Sequence, residues 1–241
     1  MKRDASDKAF DAFLSGLPAP PEDAVSLAPR ETDDALVHEL VVACLSWNAP
    51  RAGVADALAR LREIVVDYNE LRVMLPDEAA GLITPKDPLG EARFSRMRSA
   101  LNEIFQRENG ITLAHLREEN KRDAKAYLES LPGLPAYAAN RVALVGCAVH
   151  VFPVDGVLLS LFDAAGVIEE GTDEAQLAAR CERSLRAGEA LGSFQALEVL
   201  ALKPPKRTVK KKTTRKATGK STAKKKAASK KTTKKRSRKT A

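Results

Sequence analysis

Tyr127-Leu-Glu-Ser-Leu-Pro-Gly-Leu-Pro-Ala-Tyr-Ala-Ala-Asn-Arg-Val142 is the stretch that decides the fold. A helix runs up to Leu131, Pro132-Gly133 ends it, and a second helix begins within a few residues, at Ala136. The first amides of that second helix point outward with the helix dipole behind them, which makes a natural phosphate cradle. Gly133 lets a phosphate approach the backbone with no Cβ in the way. The backbone of Leu131, Gly133, Leu134 and Ala136 would make those contacts. An ordinary turn between two helices would use Pro-Gly equally well.

Outward from this hairpin, helix formers dominate and alternating strand patterns are hard to find. Asp4 to Leu17 reads as a short amphipathic helix, followed by a Pro-rich linker over Pro18–Pro29. Thr32-Asp33-Asp34 caps a helix whose apolar residues Leu36, Leu40, Val41, Cys44 and Leu45 mark one face. Pro50 opens another helix to about Val66. Further helices are predicted at about Asp77–Ile83, Pro88–Arg107, Leu113–Arg117, Lys121–Leu131, Ala136–Ala148, Gly156–Ala165, Asp173–Leu185 and Ala187–Leu200. The expected body is therefore all-α, over residues 31–202, behind an N-terminal helix and linker at 1–30.

After Leu202 the pattern collapses. Residues 203–241 hold 19 Lys or Arg and no Asp or Glu, with Val209 the one large aliphatic side chain and no aromatic. Such a segment cannot bury enough apolar surface to offset chain entropy, so disorder is expected. Removing those 19 bases from the chain's 40 leaves 21 against 32 acids, a body of net charge −11. A flexible polycation neutralises phosphates and releases counterions, giving sequence-independent affinity for nucleic acid. Runs such as Lys210-Lys211-Lys212 and Lys224-Lys225-Lys226, with no aromatic to stack on bases, favour backbone contact. The tail's composition resembles those of linker histones and lysine-rich nucleoid proteins. A solubility tail or a nuclear address is the plain alternative.

Cys44, Cys147 and Cys181 sit in apolar helical contexts that suit reduced core thiols. The N-terminus has no apolar run of signal-peptide length, and no stretch approaches the roughly 20 apolar residues of a membrane span. A soluble monomer is expected, in the cytoplasm on the nucleoid, or in the nucleus of a eukaryote. His38, His115 and His150 have no partner at metal-ligand spacing. Arg93, Arg96, Arg98 and Arg107 interleave with Glu91, Glu103 and Glu108, which predicts a mixed, solvated helix face. Trp47 and Tyr68 lie in apolar surroundings and are expected in the core.

Leu131-Pro132-Gly133-Leu134, Ala139-Asn140-Val142 and Val151-Phe152-Pro153-Val154-Asp155 together resemble the helix–hairpin–helix DNA glycosylases, the endonuclease III-like superfamily of base-excision repair. The spacing from Tyr137 to Asp155 is that family's spacing between its hairpin position and its essential aspartate. Asp67–Val73 is similar to a helix entry in some relatives, and the resemblance spans about residues 32–202. It implies that the hairpin grips double-stranded DNA and that a damaged nucleotide is flipped out. Asp155 would then stabilise the cationic sugar that forms as the base leaves. Asp155 could equally be the plain N-cap of the helix starting at Gly156.

The departures from the family are specific. Tyr137 stands where bifunctional members carry a nucleophilic lysine, so the resemblance implies base removal without strand cleavage by a Schiff base. Pro135 replaces the second hairpin glycine and deletes one N–H donor. The family's Ser-Gln segment, which fills the gap left by the flipped base, is absent, and Val73–Asp77 stands in its place. The four cysteines of an iron–sulfur loop are also missing, so no cofactor is implied. Two functions follow from this pattern: a monofunctional glycosylase using Asp155 and Tyr137, or a catalytically inactive relative that binds DNA in a nucleoid or chromatin. In either case, deleting residues 203–241 is expected to remove most of the salt-dependent DNA affinity, measured as the slope of log K against log salt. Survival of that slope in the truncated protein would exclude the tail as the main electrostatic contact.

Overall fold

The computed structural model describes residues 5–19 and 27–203; the lysine runs of the tail lie outside the described residues. Among the described residues eleven α-helices form: α1 Ala5–Ser15, α2 Ala35–Ser46, α3 Val54–Ile64, α4 Tyr68–Val73, α5 Pro76–Ile83, α6 Gly90–Glu108, α7 Lys121–Glu129, α8 Ala136–Cys147, α9 Gly156–Ala165, α10 Glu174–Ser184 and α11 Ala187–Leu202. Two 3-10 turns, Arg51–Gly53 and Ala114–Arg117, complete the pattern, and no strand occurs among the described residues. The body is all-α, as the sequence predicts. The helix expected from Pro50 begins instead as the first 3-10 turn, which lets the chain bend before α3.

α2 is the centre of the molecule. From Leu36 to Ser46 every residue but Glu39 is buried, so α2 has no solvent face and not the single apolar face expected from sequence. It packs against α8, α6 and α3. The approach to α8 is close at Gly146, where a Cβ would collide with the Leu36 side chain. Asp34 caps α2 by accepting the amides of Leu36 (2.8 Å) and Val37 (3.0 Å). Its second oxygen takes Thr112 Oγ1 and the Leu113 amide, tying the loop after α6 to the start of the central helix.

The hairpin is built by α7 and α8. Leu128 and Leu131 anchor α7 in the core, and the chain reverses at Gly133, whose φ of 75° is the left-handed conformation open to glycine. Pro135 then precedes the first turn of α8 in extended geometry, and the Ala139 amide returns to its carbonyl. Gly133 and Ala136 are exposed, Leu134 is half-buried, and the Leu131 side chain lies in the core. The N-terminal α1 packs on α9, with Phe10 stacked on Phe162 at 5.5 Å between ring centroids and Phe13 meeting the same ring edge-on. Arg180 of α10 lies over Phe10 and bonds Ser6 and Asp7.

α8 ends on Ala148, which adopts φ 49°, ψ 35° with its methyl exposed to solvent. An L-residue with a Cβ pays roughly 1–2 kcal/mol in that conformation, partly offset by the greater unfolded-state entropy of glycine. Ala148→Gly is therefore expected to raise Tm by about 2–4 °C, the response to about 1 kcal/mol in a body of this size. An unchanged or lower midpoint in thermal unfolding would mean that the strain is absorbed elsewhere.

Candidate functional site

Asp155 ends the extended segment after α8 and caps α9, its Oδ1 accepting the Leu158 amide at 3.1 Å. The capping role expected of it is thus present, but the carboxylate is committed much further. Oδ2 accepts the Asn48 amide at 2.8 Å, and both oxygens face Arg51 Nη2, at 3.0 and 3.1 Å. Asp155 is 0% exposed. The contact with Asn48 is returned, because the Asn48 side chain accepts the Gly156 amide at 2.8 Å. A Cβ at Gly156 would come within 2.9 Å of that oxygen, so the glycine is what permits the double clasp.

The loop that closes over Asp155 is therefore Ser46–Arg51, at the end of α2. Val73 and Leu75, in the segment that stands in place of the Ser-Gln stretch, are 57% and 55% exposed. Asn48 itself has φ 51°, a left-handed conformation that Asn tolerates better than most residues. Arg93 holds the opposite side of the loop: its Nε donates to the Trp47 carbonyl at 2.6 Å and its Nη2 to the Asn48 carbonyl at 2.9 Å. Nη1 is ion-paired with Asp87. Arg93 is 1% exposed, which corrects the solvated helix face expected for it. Burial and the nearby Arg51 charge push its pKa below the usual guanidinium range, against the pull of Asp155.

Arg51 uses all five of its donors. Nε faces the Glu198 carboxylate at 2.9 Å, and Nη1 donates to the carbonyls of Ser46 and Ala49. Nη2 serves Asp155 and the Tyr137 hydroxyl, the latter at 3.2 Å. That hydroxyl also accepts Arg141 Nη1 at 3.1 Å and donates to Glu198 at 3.4 Å. Arg141 in turn is paired with Glu39 at 2.6 Å and with Glu198 at 3.2 Å. Burial pushes the pKa of both arginines down; Tyr137 and the surrounding carboxylates outweigh it and hold each guanidinium above its ordinary pKa. Burial raises the Tyr137 phenol above its ordinary range despite the two cations, so it stays protonated.

Asp155 and Tyr137 are thus brought together, with Arg51 bridging them. Sequence reasoning found those two and missed Asn48, Arg51, Arg141, Glu39 and Glu198. Glu39 and Arg141 carried a usable signal, since each is a lone charge inside an apolar helical run. A cavity of about 520 Å³ is bordered by Asn48, Arg51, Gly156, Val157 and Ser160, and another of about 370 Å³ by Ala49, Val54, Arg60, Ile83 and Lys86. Neither is lined by Asp155 or Tyr137. Arg51 borders the first cavity and is also ion-paired with Asp155. Among the described residues no group of three or more His, Cys, Asp or Glu could hold a metal ion, and no helix is long and apolar enough to cross a membrane. Cys44 and Cys181 are buried free thiols with pKa values pushed up to about 12 by burial.

No family model matches the sequence, and no curated protein matches it. Solved structures do. Endonuclease III, trapped covalently on DNA in an estranged-adenine complex, aligns with a TM-score of 0.56 at 15% identity, over 81% of this chain and 82% of that one. The fold is that of the endonuclease III-like helix–hairpin–helix glycosylases. The 3-methyladenine DNA glycosylase MagIII of H. pylori, bound to 1,N6-ethenoadenine, aligns equally well, with a TM-score of 0.56 at 15% identity over 80% of this chain and 95% of the other. The hairpin of this fold is α7–α8, and Asp155 caps the helix that follows it.

Removing one partner of a buried ion pair strands the other, at a cost of about 3–5 kcal/mol. Arg51→Met is accordingly expected to lower the stability measured by urea unfolding by about that amount. Asp155→Asn should cost less, because Asn keeps a capping oxygen and Arg51 keeps Glu198. Equal and small effects of both substitutions would show that the pair contributes little to the folded state.

Proposed function

We propose that this chain is a DNA-binding protein built on the glycosylase fold, with Asp155 acting as a structural anion and not in base excision. The observation that carries this reading is the complete enclosure of Asp155 by Arg51, Asn48 and the first turn of α9. A glycosylase carboxylate stabilises positive charge developing on the sugar, which requires a face open to the substrate. Here that charge is already matched by a guanidinium whose every donor is used. Exposing Asp155 means breaking several charged hydrogen bonds, at about 1.5–3 kcal/mol each.

Support for the DNA partner comes from the hairpin, from the likeness to a protein captured on DNA, and from the tail. The 19 bases of residues 203–241, including Lys210–Lys212 and Lys224–Lys226, give a monomer with an acidic body its phosphate affinity. No cofactor enters this role, and its setting is a nucleoid or a nucleus. A second reading, excision by a monofunctional glycosylase, is favoured by the cavity that reaches Arg51. In it Arg51 withdraws, a base enters beside Tyr137, and an abasic site remains with the strand intact, because a tyrosine forms no Schiff base.

Base release from duplexes carrying uracil, mismatched thymine, 8-oxoguanine or an alkylated base separates the two. The expected result is release no greater than that of Asp155→Asn for every lesion, alongside salt-sensitive binding of undamaged duplex. Excision by the wild type that Asp155→Asn abolishes would establish the enzymatic reading instead.

A further inference from the structure

α6 passes directly beneath the hairpin and presents Arg96 to it. The Nη1 of Arg96 donates to the Gly133 carbonyl at 2.9 Å, and its guanidinium lies over the Trp47 ring, 4.8 Å from the centroid. The side chain is exposed, and no carboxylate is paired with it among the described residues. Its remaining donors, Nε and Nη2, form the edge that matches two phosphate oxygens. Ser99, one turn along α6, is exposed beside Gly133 and bonds only its own helix, at the Ser95 carbonyl. Three turns along, Arg107 repeats the arrangement: it lies over Tyr127 at 5.2 Å and donates to Ser130 of the hairpin, although Glu103 also engages it.

We infer that Arg96, held between Trp47 and the Gly133 carbonyl, is a contact for a DNA backbone phosphate and supplies the donor that Pro135 removes from the hairpin. The inference rests on the DNA-binding reading above and assigns it a surface. A guanidinium stacked on an indole has already lost most of its rotamer freedom, so little remains to be ordered when a phosphate arrives. The position is also the right one chemically. Proline at 135 has no N–H, Arg96 reaches the residue two positions before it, and a cation there stands out against a body of net charge −11. Trp47 is the chain's one tryptophan, so emission arises from this stack and the loop that carries it and from no residue of the tail.

The test uses the full chain with a labelled undamaged duplex, following anisotropy for binding by any part of the protein and tryptophan emission for engagement of this surface. Emission is expected to change in step with anisotropy. Arg96→Ala should weaken binding about five- to tenfold and lower the salt slope by about one. Arg96→Lys should keep the slope while losing part of the affinity, because the charge remains and the fork does not. Ser99→Glu, which leaves Arg96 in place and adds an anion beside it, should weaken binding comparably, and circular dichroism should show all variants folded. Binding by anisotropy with unchanged emission and unaffected variants would overturn the inference and leave DNA binding by the tail intact. Absence of binding at low salt would overturn both.

Discussion

The ion pair between Arg51 and Asp155 is the interaction around which the rest of the molecule is arranged. Two charges removed from water are tolerable only when their geometry is close and their remaining hydrogen-bonding groups are satisfied. Each neighbouring feature meets part of that demand. The amide of Asn48 and the first turn of α9 complete the carboxylate, and the carbonyls at the end of α2 complete the guanidinium. The left-handed turn at Asn48 aims the loop correctly, and the missing side chain at Gly156 lets it come close enough. Arg93 fixes the same loop from behind. The result is a fully bonded polar core at the start of α9.

Tyr137 extends that core toward α11. Its hydroxyl lies among Arg51, Arg141 and Glu198, so the first turn of the hairpin's second helix is coupled to the last helix of the body. The hairpin is consequently tied into the core on its inner side while its outer side, at Gly133 and Ala136, faces solvent.

Most helices were legible because their signals are local. The Asp155-Gly156 boundary of α9, the Pro132-Gly133 break and the start of α8 follow from residues within a few positions of each other. Asp155 and Tyr137 were legible through a spacing of motifs. Arg51 was not, because nothing near Pro50-Arg51 foretells partners 86, 104 and 147 residues away. The burial of Arg93 was hidden for the same reason: its helix carries alternating charges that read as solvated, and only the approach of the Trp47-Asn48 carbonyls draws this one inward. α2 lost its expected face because α3, α6 and α8 enclose it from different sides, a fact of topology that a single helix's periodicity does not carry.

The separation of these partners along the chain also bears on how the protein reaches its native state. Arg51 cannot be satisfied until α9 and α11 have both arrived, which places two large loop closures ahead of its burial. A chain collapsed without α11 leaves Arg51 and Arg141 facing the interior with Glu198 missing, an arrangement that draws in water and disfavours compaction. The polar core is complete only once α11 has docked, because Glu198 on that helix is the acceptor shared by Arg51 and Arg141.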